Sequence, residues 1–148
     1  ERATKDGSDR EARLNMMSAS MQGAMAFQKG LGAVHSLSHS LGGVNPRLHH
    51  GTLNAVLMPV VLEHNRPHCT ALFARLEKAL ELPVGTNFID VVRSLNADLD
   101  IPRGLGAMGV TEALIPALAA AAVRDVNTLT NPVRLDAAGY EGLLRAAM

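Results

Sequence analysis

The 148-residue sequence holds one cysteine, Cys69, which excludes an internal disulfide framework and a cysteine-only zinc site. Neither sign of charge is in excess. Lys+Arg and Asp+Glu stand at 14 each, so no global positive field draws the chain to nucleic acid or to an anionic membrane face. A long hydrophobic run is missing as well. The most apolar stretch, Ala113 to Val123, contains Pro116 and is bounded by Glu112 and Arg124, short of the roughly 20 residues that cross a bilayer. It reads as a buried helix. The opening Glu1-Arg2-Ala3-Thr4-Lys5-Asp6-Gly7 shows neither an initiator methionine nor a signal core, so we expect a chain numbered from an internal point of a longer polypeptide. A reducing, cytoplasmic setting is expected from the lone thiol.

Strand signals are absent too. No sustained period-two alternation with β-branched residues occurs, and Asp6-Gly7 at the extreme end is the only Asn-Gly or Asp-Gly pair. With 47% apolar and 19% charged residues the composition is that of an ordinary globular domain. The expectation is an all-α, multi-helix bundle in which residues 1–148 form one domain.

Helical periodicity is what remains. Ser8-Asp9-Arg10-Glu11 has capping-box spacing, and the helix it opens places Ala12, Leu14, Met16, Met17, Met21, Ala24, Met25 and Phe27 mostly three or four residues apart. One broad face is expected to be buried up to Gly30, with the methionines as core filler. A second helix is expected over 31–41, stopping at Gly42-Gly43, and a third over 50–63, bent by Pro59. Arg66-Pro67 opens another through Ala71, Leu72, Leu76, Ala79 and Leu80, whose Arg75, Glu77, Lys78 and Glu81 read as a solvated face. Thr86 or Asn87 caps a short helix through Phe88, Val91, Val92 and Leu95. Thr111-Glu112 starts the Ala-rich helix, and Asp136 the last one, through Tyr140, Leu143 and Leu144.

Of six histidines, His35, His39, His49 and His50 fall within one helix, its following turn and the next helix start. His35 and His39 stand at i and i+4, a spacing at which two ring nitrogens can approach one metal or one substrate. Spacing alone leaves two readings open, a metal site and a set of satisfied surface imidazoles. No Asp, Glu or Cys occurs from Ala12 to Leu62, so a carboxylate ligand would have to come from elsewhere. His64 and His68, near a helix end, are read as partners of the helix dipole, and Cys69 as a small buried hydrophobe.

The run Phe27-Gln28-Lys29-Gly30-Leu31-Gly32-Ala33-Val34-His35-Ser36-Leu37-Ser38-His39-Ser40-Leu41-Gly42-Gly43, followed by His50-Gly51-Thr52-Leu53-Asn54-Ala55, resembles the histidine signature of the iron-containing, group III alcohol dehydrogenases. Weaker likeness runs from Glu11-Ala12-Arg13 to Thr130-Asn131-Pro132, and it covers only the helical C-terminal domain of these two-domain enzymes. The resemblance implies hydride transfer between a small alcohol or aldehyde and NAD or NADP. The metal it implies is divalent, Fe2+ with Zn2+ as the other possibility, held by one Asp and three His between the two domains. His35 and His50 match two of those ligands. His39 matches the histidine beside nicotinamide and substrate, as a proton relay, and Phe27 and Leu31 match positions lining the substrate pocket. The Asp, the third His and the Gly-rich pyrophosphate-binding turn would belong to an upstream nucleotide-binding domain. The turn here is one residue longer than usual and carries His49 before the ligand, so His49 and His50 compete for that role. A homo-oligomer is implied too. The competing expectation, from another class, is a non-catalytic helical interaction domain with remnant histidines.

Overall fold

The computed structural model describes residues 1–148, and they form helices, turns and loops without a strand. A single turn, α1 (Arg2–Lys5), precedes α2 (Arg10–Ala26). The cap of α2 is Asp9 and not Ser8. Asp9 Oδ1 accepts from the Ala12 amide at 3.0 Å, while Ser8 turns its own N–H and hydroxyl to Asp6 Oδ1. The Arg2 guanidinium pairs with Asp9 and holds it in place. The buried methionine face is not found: only Ala12 is buried, and Leu14, Met16, Met17, Met21 and Met25 are 56–70% exposed. Periodicity reports that a face is apolar and not what covers it. Here α2 packs chiefly against α1 and a 3-10 turn, Phe27–Lys29.

The core lies between four later helices. In α3 (Ala33–Val44), Leu37 and Leu41 are buried, and the helix does not stop at Gly42-Gly43 but runs through both glycines. Each glycine costs about 1 kcal/mol relative to alanine in a helix, which the buried leucine face absorbs. The helix ends at Asn45, whose amide donates to Leu41 O just before Pro46. Next, α4 (His50–Asn65) buries Leu53, Leu57 and Val61 and continues past Pro59. Proline has no N–H for the carbonyl four residues earlier, that of Ala55. Asn96 supplies it, with Nδ2 donating to Ala55 O at 2.8 Å.

Asn96 belongs to α6 (Phe88–Asp98), which with α5 (Thr70–Ala79) forms a flanking layer. Asn87 caps α6, Phe88 meets Phe73 edge-on, and Arg66 lies over the Phe73 ring and bonds Glu77. Glu77 is therefore half-buried and not part of a solvated face; Cys69 is likewise half-buried and not buried. After a 3-10 turn at Glu112–Leu114 comes α7 (Ile115–Arg124), whose Ala119 and Ala122 are wholly buried where it meets α3 and α8. Asp136 caps α8 (Ala137–Ala146) through the Gly139 amide at 2.8 Å. Tyr140 on α8 is fully buried, and its hydroxyl is satisfied by Thr128 at 2.6 Å.

A clasp sets the entry to α3. Gly30 and Gly32 have φ of +94° and +79°, a region that disfavours other residues. Thr130 and Asn131, at the end of a 3-10 segment Val126–Thr130, lie against them so closely that a Cβ on Gly30 would stand 2.3 Å from Thr130 Cβ. Asn131 Oδ1 accepts from the Ala33 amide, and the Asn131 and Asn65 side chains exchange two further hydrogen bonds, at 3.0 and 3.1 Å. The first turn of α3 is thus capped from the far end of the sequence.

Candidate active site

With Leu37 and Leu41 committed to the core, α3 turns His35 and His39 outward. Three buried serines flank them, and their hydroxyls are satisfied within the helix: Ser36 by Gly32 O, Ser38 by His35 O and Ser40 by Ser36 O. The turn 45–49 then folds α4 back, so that its first residue, His50, meets the same face. The ring of His50 lies 5.3 Å from that of His35 and 5.4 Å from that of His39, which are themselves 5.8 Å apart.

His49 points to another task. Its Nδ1 accepts from the Thr52 amide at 3.3 Å and lies 3.0 Å from Thr52 Oγ1, making it the cap of α4. His35 Nε2 and His50 Nε2 instead converge on one atom, Asn54 Nδ2, at 3.4 and 3.1 Å. Phe27, 54% exposed, presents its ring to His35 at a centroid distance of 6.0 Å and 69° between planes. Leu31 is half-buried in the loop leading to α3. A cavity of about 520 Å³ lies away from the histidines, between α4, α6 and the end of α8, so neither Phe27 nor Leu31 lines it.

His39 is held by a residue that carries no signal in the sequence. Its Nδ1 lies 2.9 Å from Asp125 Oδ2, and Asp125 Oδ1 accepts from the Asn127 amide at 2.8 Å and from Asn127 Nδ2 at 2.7 Å. Asp125 and His39 are 86 positions apart, so no local spacing could have joined them. Burial pushes the Asp125 carboxyl up, but the Asn127 amide, His39 and the Asn127 side chain together hold it below its ordinary value. Asp125 is therefore an anion facing His39, which fixes the proton of a neutral imidazole on Nδ1 and leaves Nε2 as acceptor.

Burial pushes His35 down from its ordinary value, and the neighbouring imidazoles of His50 and His39 push it further against a weaker pull from Asp125. A neutral imidazole with a free lone pair is the form that binds a metal. His35 Nε2 and His50 Nε2, brought to one point from different helices, are donor atoms of the type that suits a borderline divalent cation. No set of three His, Cys, Asp or Glu side chains in this chain surrounds a common point.

The sequence model of the family described as Fe-containing alcohol dehydrogenase family, C-terminal, matches residues 1–148. A 4-hydroxybutyrate dehydrogenase of Cupriavidus necator is 52% identical over 156 residues, which span all of this chain and 41% of that protein. Among solved structures, a 1,3-propanediol oxidoreductase superposes with a TM-score of 0.93 at 31% identity, over 99% of this chain and 41% of the other. An alcohol dehydrogenase from Oenococcus oeni gives 0.91 at 27%, over 99% and 40%. The chain thus spans about two-fifths of the length of these relatives.

Proposed function

We propose, from the premise that this chain belongs to the Fe-containing alcohol dehydrogenase family as its C-terminal, all-helical part, that the whole polypeptide is an NAD(P)-dependent dehydrogenase of small alcohols. The observation that carries the proposal is the convergence of His35 Nε2 and His50 Nε2 on one point beside the His39–Asp125 pair. His35 and His50 would hold the cation, Fe2+ or Zn2+, and an upstream nucleotide-binding domain would add the Asp and the third His. When bound, the cation supplies Lewis-acid polarisation of the alcohol oxygen, and the nicotinamide accepts the hydride.

The remaining chemistry belongs to residues of this chain. His39, with Nδ1–H donated to Asp125, offers Nε2 to the proton that leaves the alcohol, and the Asp125 carboxylate stabilises the imidazolium that results. The His39 side chain is 43% exposed, so it can pass that proton to water or stand beside a nicotinamide. Phe27 shields one side of His35 and, with Leu31, would form the apolar wall against which the carbon chain of the substrate lies. The name of the relative from Cupriavidus necator puts 4-hydroxybutyrate first among the substrates to assay.

The test is metal analysis of the whole polypeptide, together with NAD(P)-linked oxidation of 4-hydroxybutyrate and short alcohols before and after chelation. One near-stoichiometric iron or zinc, with turnover that disappears on chelation and returns on refilling, is expected. Turnover and metal content that survive both His35→Ala and His50→Ala would refute the ligand assignment. The exposed apolar surface of α2 favours a second reading, a helical assembly surface, which predicts no turnover and a concentration-dependent oligomer.

A further inference from the structure

We infer that Asn54 is a positioning residue that stands in for the cation, holding the two ligand imidazoles together until a cation displaces it. The inference rests on the reading that His35 and His50 are ligands. Asn54 lies one turn after His50 on α4, and its Nδ2 is the atom that both Nε2 atoms reach, at 3.1 Å from His50 and 3.4 Å from His35. An amide nitrogen carries two hydrogens, one for each ring, and no lone pair to repel them. A neutral imidazole that accepts at Nε2 bears its proton on Nδ1. Asn54 therefore selects in both rings the tautomer that keeps the Nε2 lone pair aimed inward, which is also the tautomer a cation requires.

The same two lone pairs cannot serve Asn54 and a cation at once. Asn54 stabilises the metal-free pair, and its bonds are exchanged when a cation enters. Nothing ties the amide down from its other end: Asn54 Oδ1 is buried without a hydrogen-bond partner. The side chain is kept in this orientation by its bonds to the two imidazoles. Asn54 thus joins α3 to α4 in the metal-free protein and gives way on loading.

An ordinary structural residue and a stand-in predict opposite signs. Deleting a structural residue loosens the site and weakens metal binding. Deleting a stand-in raises the free energy of the metal-free state alone, and the cation then binds more tightly. The experiment uses the whole polypeptide, stripped of metal, with Zn2+ as the probe, titrated in competition with a chromophoric chelator. Asn54→Ala and the volume-conserving Asn54→Leu are compared with the parent, with thermal unfolding of each metal-free protein alongside. We expect Zn2+ affinity to rise roughly tenfold, the worth of two modest neutral hydrogen bonds. The metal-free melting temperature should fall, and the Zn2+-induced rise in melting temperature should grow. Affinity that is unchanged or weaker in both variants, while His35→Ala still abolishes binding, overturns the inference alone. Zn2+ binding that His35→Ala does not touch overturns the ligand reading and this inference with it.

Discussion

Removing the Asn96 side chain should cost stability only because Pro59 is where it is. Pro59 deprives the Ala55 carbonyl of its helical partner, and Asn96 Nδ2 takes that place at 2.8 Å. Asn96→Ala removes a bond worth about 0.5–1.5 kcal/mol and leaves a carbonyl to be satisfied by whatever water the adjacent cavity of about 520 Å³ admits. We expect a loss of about 1 kcal/mol. In a Pro59→Ala background the restored amide can reach Ala55 O within the helix, so the same Asn96→Ala change should cost a few tenths of a kcal/mol at most. The coupling energy of the cycle is then about 1 kcal/mol, which exceeds the additivity error of about 0.3–0.5 kcal/mol expected of independent sites. Urea unfolding of the four proteins at constant m-value reads it directly. Equal losses in both backgrounds would show that Asn96 contributes packing and not the missing hydrogen bond.

Three further variants test the clasp and the Asp125 carboxylate. Gly30→Ala should destabilise by about 3 kcal/mol or more, since it combines positive φ with a 2.3 Å approach to Thr130 Cβ, and Thr130→Gly should restore only the part due to contact; full rescue in thermal unfolding would disprove a backbone contribution. Asn131→Ala leaves the Ala33 amide and the Asn65 side chain without partners, a loss of about 2–4 kcal/mol that denaturant titration measures, and a change under 0.5 kcal/mol would remove Asn131 as the cap of α3. Asp125→Asn should lower kcat by on the order of 10²–10⁴ with metal content unchanged, because His39 loses the group that sets its tautomer. The same variant should alter acid stability. With the Asp125 carboxyl held below its ordinary 3.8, the native state binds fewer protons than the unfolded chain in that window. Its stabilisation is complete above 3.8 and is lost as pH falls through the lowered value, so Asp125→Asn should flatten the acid limb of the stability curve.

What the sequence discloses follows the range of the interaction. Asn87 and Asp136 act on amides two or three residues away, and their capping roles are legible as spacing. Ser8 and Asp9 compete within the same turn; pattern alone favours Ser8, and the choice falls to Asp9 through its pairing with Arg2. Gly42-Gly43 has the composition of a stop, but the buried Leu37 and Leu41 carry α3 across it. His35, His39 and His50 stand out because helical periodicity and a short turn suffice to bring them together. Asp125 and Asn131 reach α3 across most of the chain, through the packing of α7 on α3, and no local pattern encodes that contact.

The clasp between Gly30-Gly32 and Thr130-Asn131 has a consequence for synthesis. The amide of Ala33 waits for an acceptor 98 residues downstream. At 5–20 residues per second that interval lasts about 5–20 s, during which the histidine-bearing helix lacks its cap and His39 its carboxylate. Any product terminated before Asn131 keeps every histidine of the site and the whole of α3, yet has nothing to hold the helix entrance closed. Closure of the entrance to α3 is therefore a late event, possible only once the 3-10 segment has been made and has left the ribosome.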